Sequence, residues 1–244
     1  MPWGVVMTRN YPPTNWQTFA IYAKRQQKFE EVRAKAEQQG FHYQAISPDF
    51  VVTVGGDGTF LQAERCYPGI PKLPVRDSLL CYRCHDEPLP DLLNSILKGR
   101  GITQPKPKLE AKHAGAQMIA VNDVILRNAK PTQAIRLSIK VDGQTVEEQV
   151  IGDGIVAATP FGSTGYFRSV TGLQFDAGIG LAFNNATEAK EPLILDEKSE
   201  IVLEVIRGPG QLAVDNAPEI HTVETGDKVT IRQADMVARL VVRG

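Results

Sequence analysis

The chain has 244 residues, 42% hydrophobic and 23% charged, with 27 basic against 28 acidic side chains. That length suits one large domain or two modest ones with real cores, and the near-zero net charge argues against a nucleic-acid or membrane-surface binder driven by bulk electrostatics. No apolar run approaches the ~20 residues of a membrane span, and the first residues lack a basic stretch followed by a long apolar core, so a cytoplasmic enzyme is the expectation.

In chain order, residues 4–7 read as a first strand, and Asn15 as the cap of a helix over 16–39 with Gly40 as its stop. Phe19, Ile21, Tyr22, Phe29, Val32 and Ala36 are spread over that span roughly as one helical face requires. Strands follow at 41–46 and 50–54. The strand–helix–strand alternation predicts a parallel sheet with covering helices, whose ligands bind at the carboxyl ends of the strands.

At such an end stands Gly55-Gly56-Asp57-Gly58-Thr59, followed by what reads as the first turn of a helix. Glycines there let the backbone approach a ligand closely, and the positive end of the helix favours phosphate. Asp57 repels phosphate, so its presence calls for a metal ion or a hydroxyl to deprotonate, unless it is incidental to a glycine-rich turn. The segment is neither a Walker A loop nor a Gly-x-Gly-x-x-Gly fingerprint.

Residues 67–76 are proline-rich and read as irregular, with a short strand at 79–82 and a helix at 89–97. Cys81-Tyr82-Arg83-Cys84-His85 spells the c-type haem attachment pattern. Haem attachment accompanies export, and no second Cys/His pair completes a zinc site, so the expectation is reduced thiols beside a core strand. Glycine, proline and lysine accumulate over 99–108 and mark a boundary between domains 1–104 and 105–244.

Beyond it the texture is β-rich, with strands at 117–126, 134–141, 147–157, 200–207, 212–215, 228–232 and 236–242 and one short helix at 163–170. Val121-Asn122-Asp123-Val124-Ile125-Leu126 sets two polar residues in an apolar strand, which signals a bulge or strand end, or a polar site. From Gly152-Asp153-Gly154, a buried strand enters the hydroxyl- and glycine-rich run Thr159-Pro160-Phe161-Gly162-Ser163-Thr164-Gly165-Tyr166, suited to donating hydrogen bonds to a polar ligand.

These three segments, in this order and spacing, resemble the NAD kinase family (ATP- or polyphosphate-NAD kinases). The family carries Gly-Gly-Asp-Gly-Thr, then Asn-Glu/Asp in a strand, then Asp-Gly followed by Ser-Thr-Pro-Thr-Gly-Ser-Thr-Ala-Tyr. The resemblance covers the chain almost end to end and implies an NAD kinase-like fold, an α/β N-terminal domain plus a β-rich C-terminal domain. It implies that Gly55, Gly56, Gly58 and Thr59 handle phosphate and that Asp57 is the base, or charge partner, for the ribose 2′-hydroxyl of NAD. It further implies that Asn122 and Asp123 hold ribose or adenosine hydroxyls, and that Phe161 lies near an adenine surrounded by Thr164, Gly165, Tyr166 and Ser169. Asp153 would place the nicotinamide end, and Asp215 matches a further family carboxylate.

The chemistry so implied is transfer of the ATP γ-phosphoryl group to NAD, giving NADP, with Mg²⁺ or another divalent cation accompanying the donor. No residues are assigned as a metal site. A homodimer or homotetramer is implied, with no nucleic-acid or membrane partner. Several positions depart from the pattern. Residues 73–82 replace a glycine-rich family segment with one containing Arg76 and Asp77. Phe161 replaces a small hydroxyl residue and Gly165 an alanine, 184–192 lack the family His and Arg, and Asn216 follows Asp215 in place of glycine. Two other functions fit the same segments: a kinase of another hydroxyl acceptor, and a catalytically silent nucleotide-binding protein.

Overall fold

The structure is a computed structural model and describes residues 15–77 and 81–243. The strand expected at 4–7 and the first half of that expected at 79–82 lie outside the described residues. The chain divides into two compact units, one of residues 1–105 with 239–244, the other of residues 106–238.

The first unit comprises β1 (Thr18–Ala23), α1 (Gln26–Gln38), β2 (His42–Tyr43), β3 (Phe50–Gly55), α2 (Asp57–Cys66), β4 (Lys72–Arg76) and α3 (Leu89–Leu97). The strands pair in parallel in the order β2-β1-β3-β4, and Leu240, near the chain's end, pairs in parallel with Lys72. Parallel strands covered on both faces read as continuous apolar runs, and Phe50 to Val54 are all buried. Phe19, Ile21, Phe50, Val52 and Val54 pack with Val32 and Ala36 of α1 and with Leu89, Leu92, Leu93 and Ile96 of α3. The α3 residues recur at the spacing of one helical face, and Pro90 in the first turn costs no intrahelical hydrogen bond.

Three expectations are corrected here. The helix expected over 16–39 begins only at Gln26, because Thr18 to Ala23 form β1. The five-residue apolar run Phe19 to Ala23 satisfies a strand buried on both faces as well as a helix, and Lys24-Arg25 ends it. The stretch expected to be irregular contains β4, hidden by Lys72 and Pro74; the Lys72 ammonium is fully buried and pairs with Glu64. Cys81 and Cys84 form a disulfide, since a Cα separation of 5.5 Å lies within bridging range, and no strand is formed at Cys81-Tyr82.

The second unit continues from β5 (Gly101–His113), which begins in the first, through β6 (Ala116–Ala120), β7 (Asp123–Asn128), β8 (Ile135–Val141), β9 (Gln144–Gly152) and β10 (Gly154–Ala158). A 3₁₀ turn (Gly162–Thr164) and α4 (Tyr166–Thr171) follow, then β11 (Ile179–Asn184), β12 (Leu193–Leu195), β13 (Ile201–Arg207), β14 (Gly210–Val214), β15 (His221–Val223) and β16 (Lys228–Arg243). One antiparallel sheet runs β12-β11-β10-β7-β14-β15; the other strands include the antiparallel series β16-β13-β8-β9 and the β5–β6 hairpin. Leu126, Ile155, Leu181 and Leu212 of the first meet Leu137, Ile139, Leu203 and Ile231 of the second in one core. Another small cluster, Val156, Ala158, Ala182 and Phe167, seats α4 on the first of these sheets.

Candidate functional site

In the first unit, Gly55 and Gly56 turn the chain from β3 into α2, placing Asp57 as the first helical residue. A Cβ on Gly55 would overlap the side chain of Thr59, so glycine is required there for the turn to close. A cavity of about 310 Å³ opens on this turn, lined by Gly55, Gly56, Thr59, Asp77 and three cations, Lys24, Arg25 and Lys28. Lys24 and Arg25 follow the carboxyl end of β1, and Lys28 lies in the first turn of α1. Arg25 is paired with Asp77, and Lys28 with Glu31 at 2.7 Å. With the positive end of α2 at its edge, this recess attracts anionic oxygens.

The half-buried Asp57 carboxylate accepts one hydrogen bond from the Tyr82 N–H on Oδ2 and one from the Arg83 N–H on Oδ1, both 3.2 Å. Cys81 Sγ touches Oδ1 at 3.4 Å and Cys84 Sγ touches the Gly55 carbonyl at 3.3 Å; disulfide sulfurs carry no proton to donate. Burial lowers the Arg83 guanidinium pKa, and the Asp57 charge opposes that shift. The His85 ring, the last member of the haem-like pattern, bonds the Val241 carbonyl through Nε2 at 2.8 Å.

In the second unit the strand expected at 117–126 breaks at Val121-Asn122, and Asp215 explains the break. Its carboxylate accepts the N–H groups of Val121 (2.9 Å), Asn122 (2.7 Å) and Asp123 (3.2 Å). Asp123 itself is 5% exposed, and no described residue hydrogen-bonds its carboxyl. Burial, with a smaller contribution from the Asp215 charge, raises its pKa to about 7.

The hydroxyl-rich run locks onto the same turn. Thr159 Oγ1 donates to the Val121 carbonyl at 2.6 Å and accepts the Gly162 N–H at 2.9 Å, while the Thr159 N–H bonds the Asn122 carbonyl. Gly162 sits directly against the Asn122 backbone, where any Cβ would overlap the carbonyl. Phe161 is buried, Thr164 half-buried and Gly165 exposed, and the Ser169 hydroxyl bonds the Tyr166 carbonyl of its own helix. At the other end of β7, Asp153 accepts from Asn128 Nδ2 (3.2 Å) and Asn185 Nδ2 (3.0 Å), and Asn184 Nδ2 donates to the Tyr166 hydroxyl (3.0 Å). Asn122, Asp123, Thr159 and Gly165 thus gather at one end of β7, with Asp153 at the other, about 20 Å away at a strand's rise per residue.

Sequence reasoning missed the lysine–arginine cluster, the Tyr82–Arg83 amides, Thr159 as a tether, and Asn128, Asn184 and Asn185. Only the asparagine pair left a signal, as the replacement of a family segment. Among the described residues no three His, Cys, Asp or Glu side chains gather as a metal site, and no helix is long and apolar enough to cross a membrane.

The family profile of the ATP-NAD kinase C-terminal domain matches residues 121–242. Among curated proteins the chain is similar to the NAD kinase of Gemmatimonas aurantiaca, 28% identical over 83% of this chain and 75% of that one. It is likewise similar to the NAD kinase of a Marinomonas species, 32% identical over 71% of this chain and 67% of that one. Among solved structures its fold is similar to yeast NADH kinase complexed with NADH, with a TM-score of 0.83 at 18% identity over 95% of this chain and 84% of that one. An Archaeoglobus fulgidus NAD kinase in complex with ATP follows, with a TM-score of 0.77 at 18% identity, covering 93% and 94%.

Proposed function

Because the chain belongs to the NAD kinase family, we propose that it transfers the γ-phosphoryl group of ATP to the 2′-hydroxyl of the NAD adenosine ribose, making NADP. The observation that carries this reading is a carboxylate, Asp57, on the same tight turn that lines a cation-rich recess. A lone carboxylate is poorly suited to holding phosphate and well suited to taking the proton of a nucleophilic hydroxyl.

Lys24, Arg25 and Lys28 attract the donor's phosphates, and the Gly55-Gly56 turn lets them lie against the backbone. Asp57 has four lone-pair sites, of which the Tyr82 and Arg83 amides occupy two, one on each oxygen. Each oxygen therefore keeps room to accept the 2′-hydroxyl proton. In the second unit Asn122 and Asp123 receive ribose hydroxyls. Near pH 7 Asp123 is partly protonated and both donates and accepts. Tyr166, fixed by Asn184, offers a stacking face to adenine beside Thr164, Gly165 and Ser169, and Asp153, held by Asn128 and Asn185, is assigned to the nicotinamide end.

Mg²⁺ usually keeps several waters and binds through one or two carboxylates plus substrate phosphates, so Asp57, with Asp77 engaged by Arg25, fits a donor-borne ion that would neutralise phosphate charge. The chain's own contribution is positioning and electrostatics, with no covalent intermediate.

The test is incubation of purified protein with Mg-ATP and NAD, with NADP detected by an NADP-specific dehydrogenase. Turnover far above an Asp57→Asn control is expected. Dinucleotide binding by calorimetry without transfer would mark a silent binder, and ADP release only with other hydroxyl compounds would mark a different acceptor; either overturns the proposal.

A further inference from the structure

The Cys81–Cys84 disulfide stands where reversible chemistry would act on the reacting carboxylate. The ring it closes contains the two consecutive residues, Tyr82 and Arg83, whose N–H groups converge on Asp57. Successive amides converging on one anion form a small concave receptor, and here its occupant is a side chain of the same unit. Both sulfurs contribute contacts to the same turn, Cys81 against Asp57 Oδ1 and Cys84 against the carbonyl of Gly55.

We propose that Cys81–Cys84 is a reversible thiol–disulfide site whose oxidised form holds Asp57 in position for proton transfer, and whose reduction by a dithiol loosens that hold. Cys81 and Cys84 are positioning residues, acting through Asp57, so the inference rests on Asp57 being the base proposed above. Holding rather than blocking follows from lone-pair counting. Two amides leave one acceptor site on each oxygen, so the clip orients the carboxylate without exhausting it.

The exchange balances as an ordinary two-electron reaction. Cys84 is half-buried whereas Cys81 is 7% exposed, so the thiolate of a small dithiol attacks Cys84 Sγ. The S–S bond breaks, Cys81 Sγ leaves with the electron pair and takes up a proton, and a mixed disulfide forms at Cys84. The reductant's second thiol then displaces Cys84, which is protonated in turn, and the dithiol departs as its cyclic disulfide. Two electrons and two protons have moved from the dithiol to the protein.

The experiment uses the full chain, oxidised in air and then treated with dithiothreitol. Before reduction, alkylation with iodoacetamide marks only the exposed free Cys66; after it, all three cysteines react. Amide hydrogen exchange at Tyr82 and Arg83 accelerates on reduction. The kcat for NADP formation falls roughly tenfold while both KM values stay within about twofold, and reoxidation restores it. Cys84→Ser reproduces the reduced enzyme, Cys66→Ser changes nothing, and Asp57→Asn makes the residual rate indifferent to redox state. Alkylation of Cys81 and Cys84 without reductant, unchanged exchange at Tyr82 and Arg83, or a reduced enzyme as fast as the oxidised one would each overturn the proposal. Should neither state make NADP, the phosphoryl-transfer reading fails by itself, and amide exchange alone decides whether the disulfide holds Asp57.

Discussion

The two units treat a carboxylate in opposite ways. Asp57 lies on an open, cation-lined turn, held by two amides and left with acceptor sites to spare. Asp123 is buried, faces no described hydrogen-bond donor, and titrates near neutrality because burial penalises its charge. Between these extremes, Asp215 accepts three main-chain N–H groups and pins the turn they belong to. The same residue type is therefore an acceptor with sites to spare, a carboxyl that titrates near neutrality, or a clamp, according to what surrounds it.

The sharpest way to break the comparison is Asp57→Asn. It keeps the shape and one of the two amide contacts, since the Asn Nδ2 cannot accept, and removes the base, so kcat for NADP formation should fall about 10³-fold with KM little changed. A fall below tenfold would mean Asp57 is no base.

Asp123→Asn tests the other extreme. The folded pKa of Asp123 is raised from 3.8 to about 7, so its favourable contribution is complete below about pH 4 and is lost as pH rises through 7. The asparagine variant imitates the protonated form and has no such loss. It should match wild type near pH 4 and be roughly 4 kcal/mol more stable at pH 8, as read from denaturant midpoints. Parallel pH profiles for the two proteins would refute the assigned pKa.

Why one site announces itself in sequence and the other only in part is a matter of range. Gly55 to Thr59 is a local strand–turn–helix, and its chemistry follows from adjacent residues. The amides that hold Asp57 arrive 25 and 26 residues later, and Asp215 reaches the Asn122 and Asp123 amides across 93 and 92. No periodicity encodes such meetings. The parallel sheet and the β-rich half were legible from apolar runs. The helix boundary at 16–26 was not, because five apolar residues satisfy either conformation until their neighbours are known. β4 stayed hidden because its first residue, Lys72, is a lysine neutralised by Glu64, eight residues earlier on α2.

Two smaller effects sharpen the picture within the second unit. Gly162→Ala would press a methyl into the Asn122 carbonyl, costing about 2 kcal/mol in a chemical denaturation series and raising the KM for NAD. Unchanged stability would mean that the Thr159–Gly162 run is not seated on the Asn122 turn. Asn184→Ala releases the Tyr166 hydroxyl and should raise the KM for NAD a few-fold, under about 1 kcal/mol, at constant kcat. A kcat effect instead would implicate Tyr166 in the transfer step.

The most direct test of the account is the position of the transferred phosphate. After a single turnover with γ-labelled ATP and NAD, phosphorus NMR and mass spectrometry of the product should place the label on the 2′-oxygen of the adenosine ribose. Label on any other hydroxyl, or none transferred while both nucleotides bind, would contradict it.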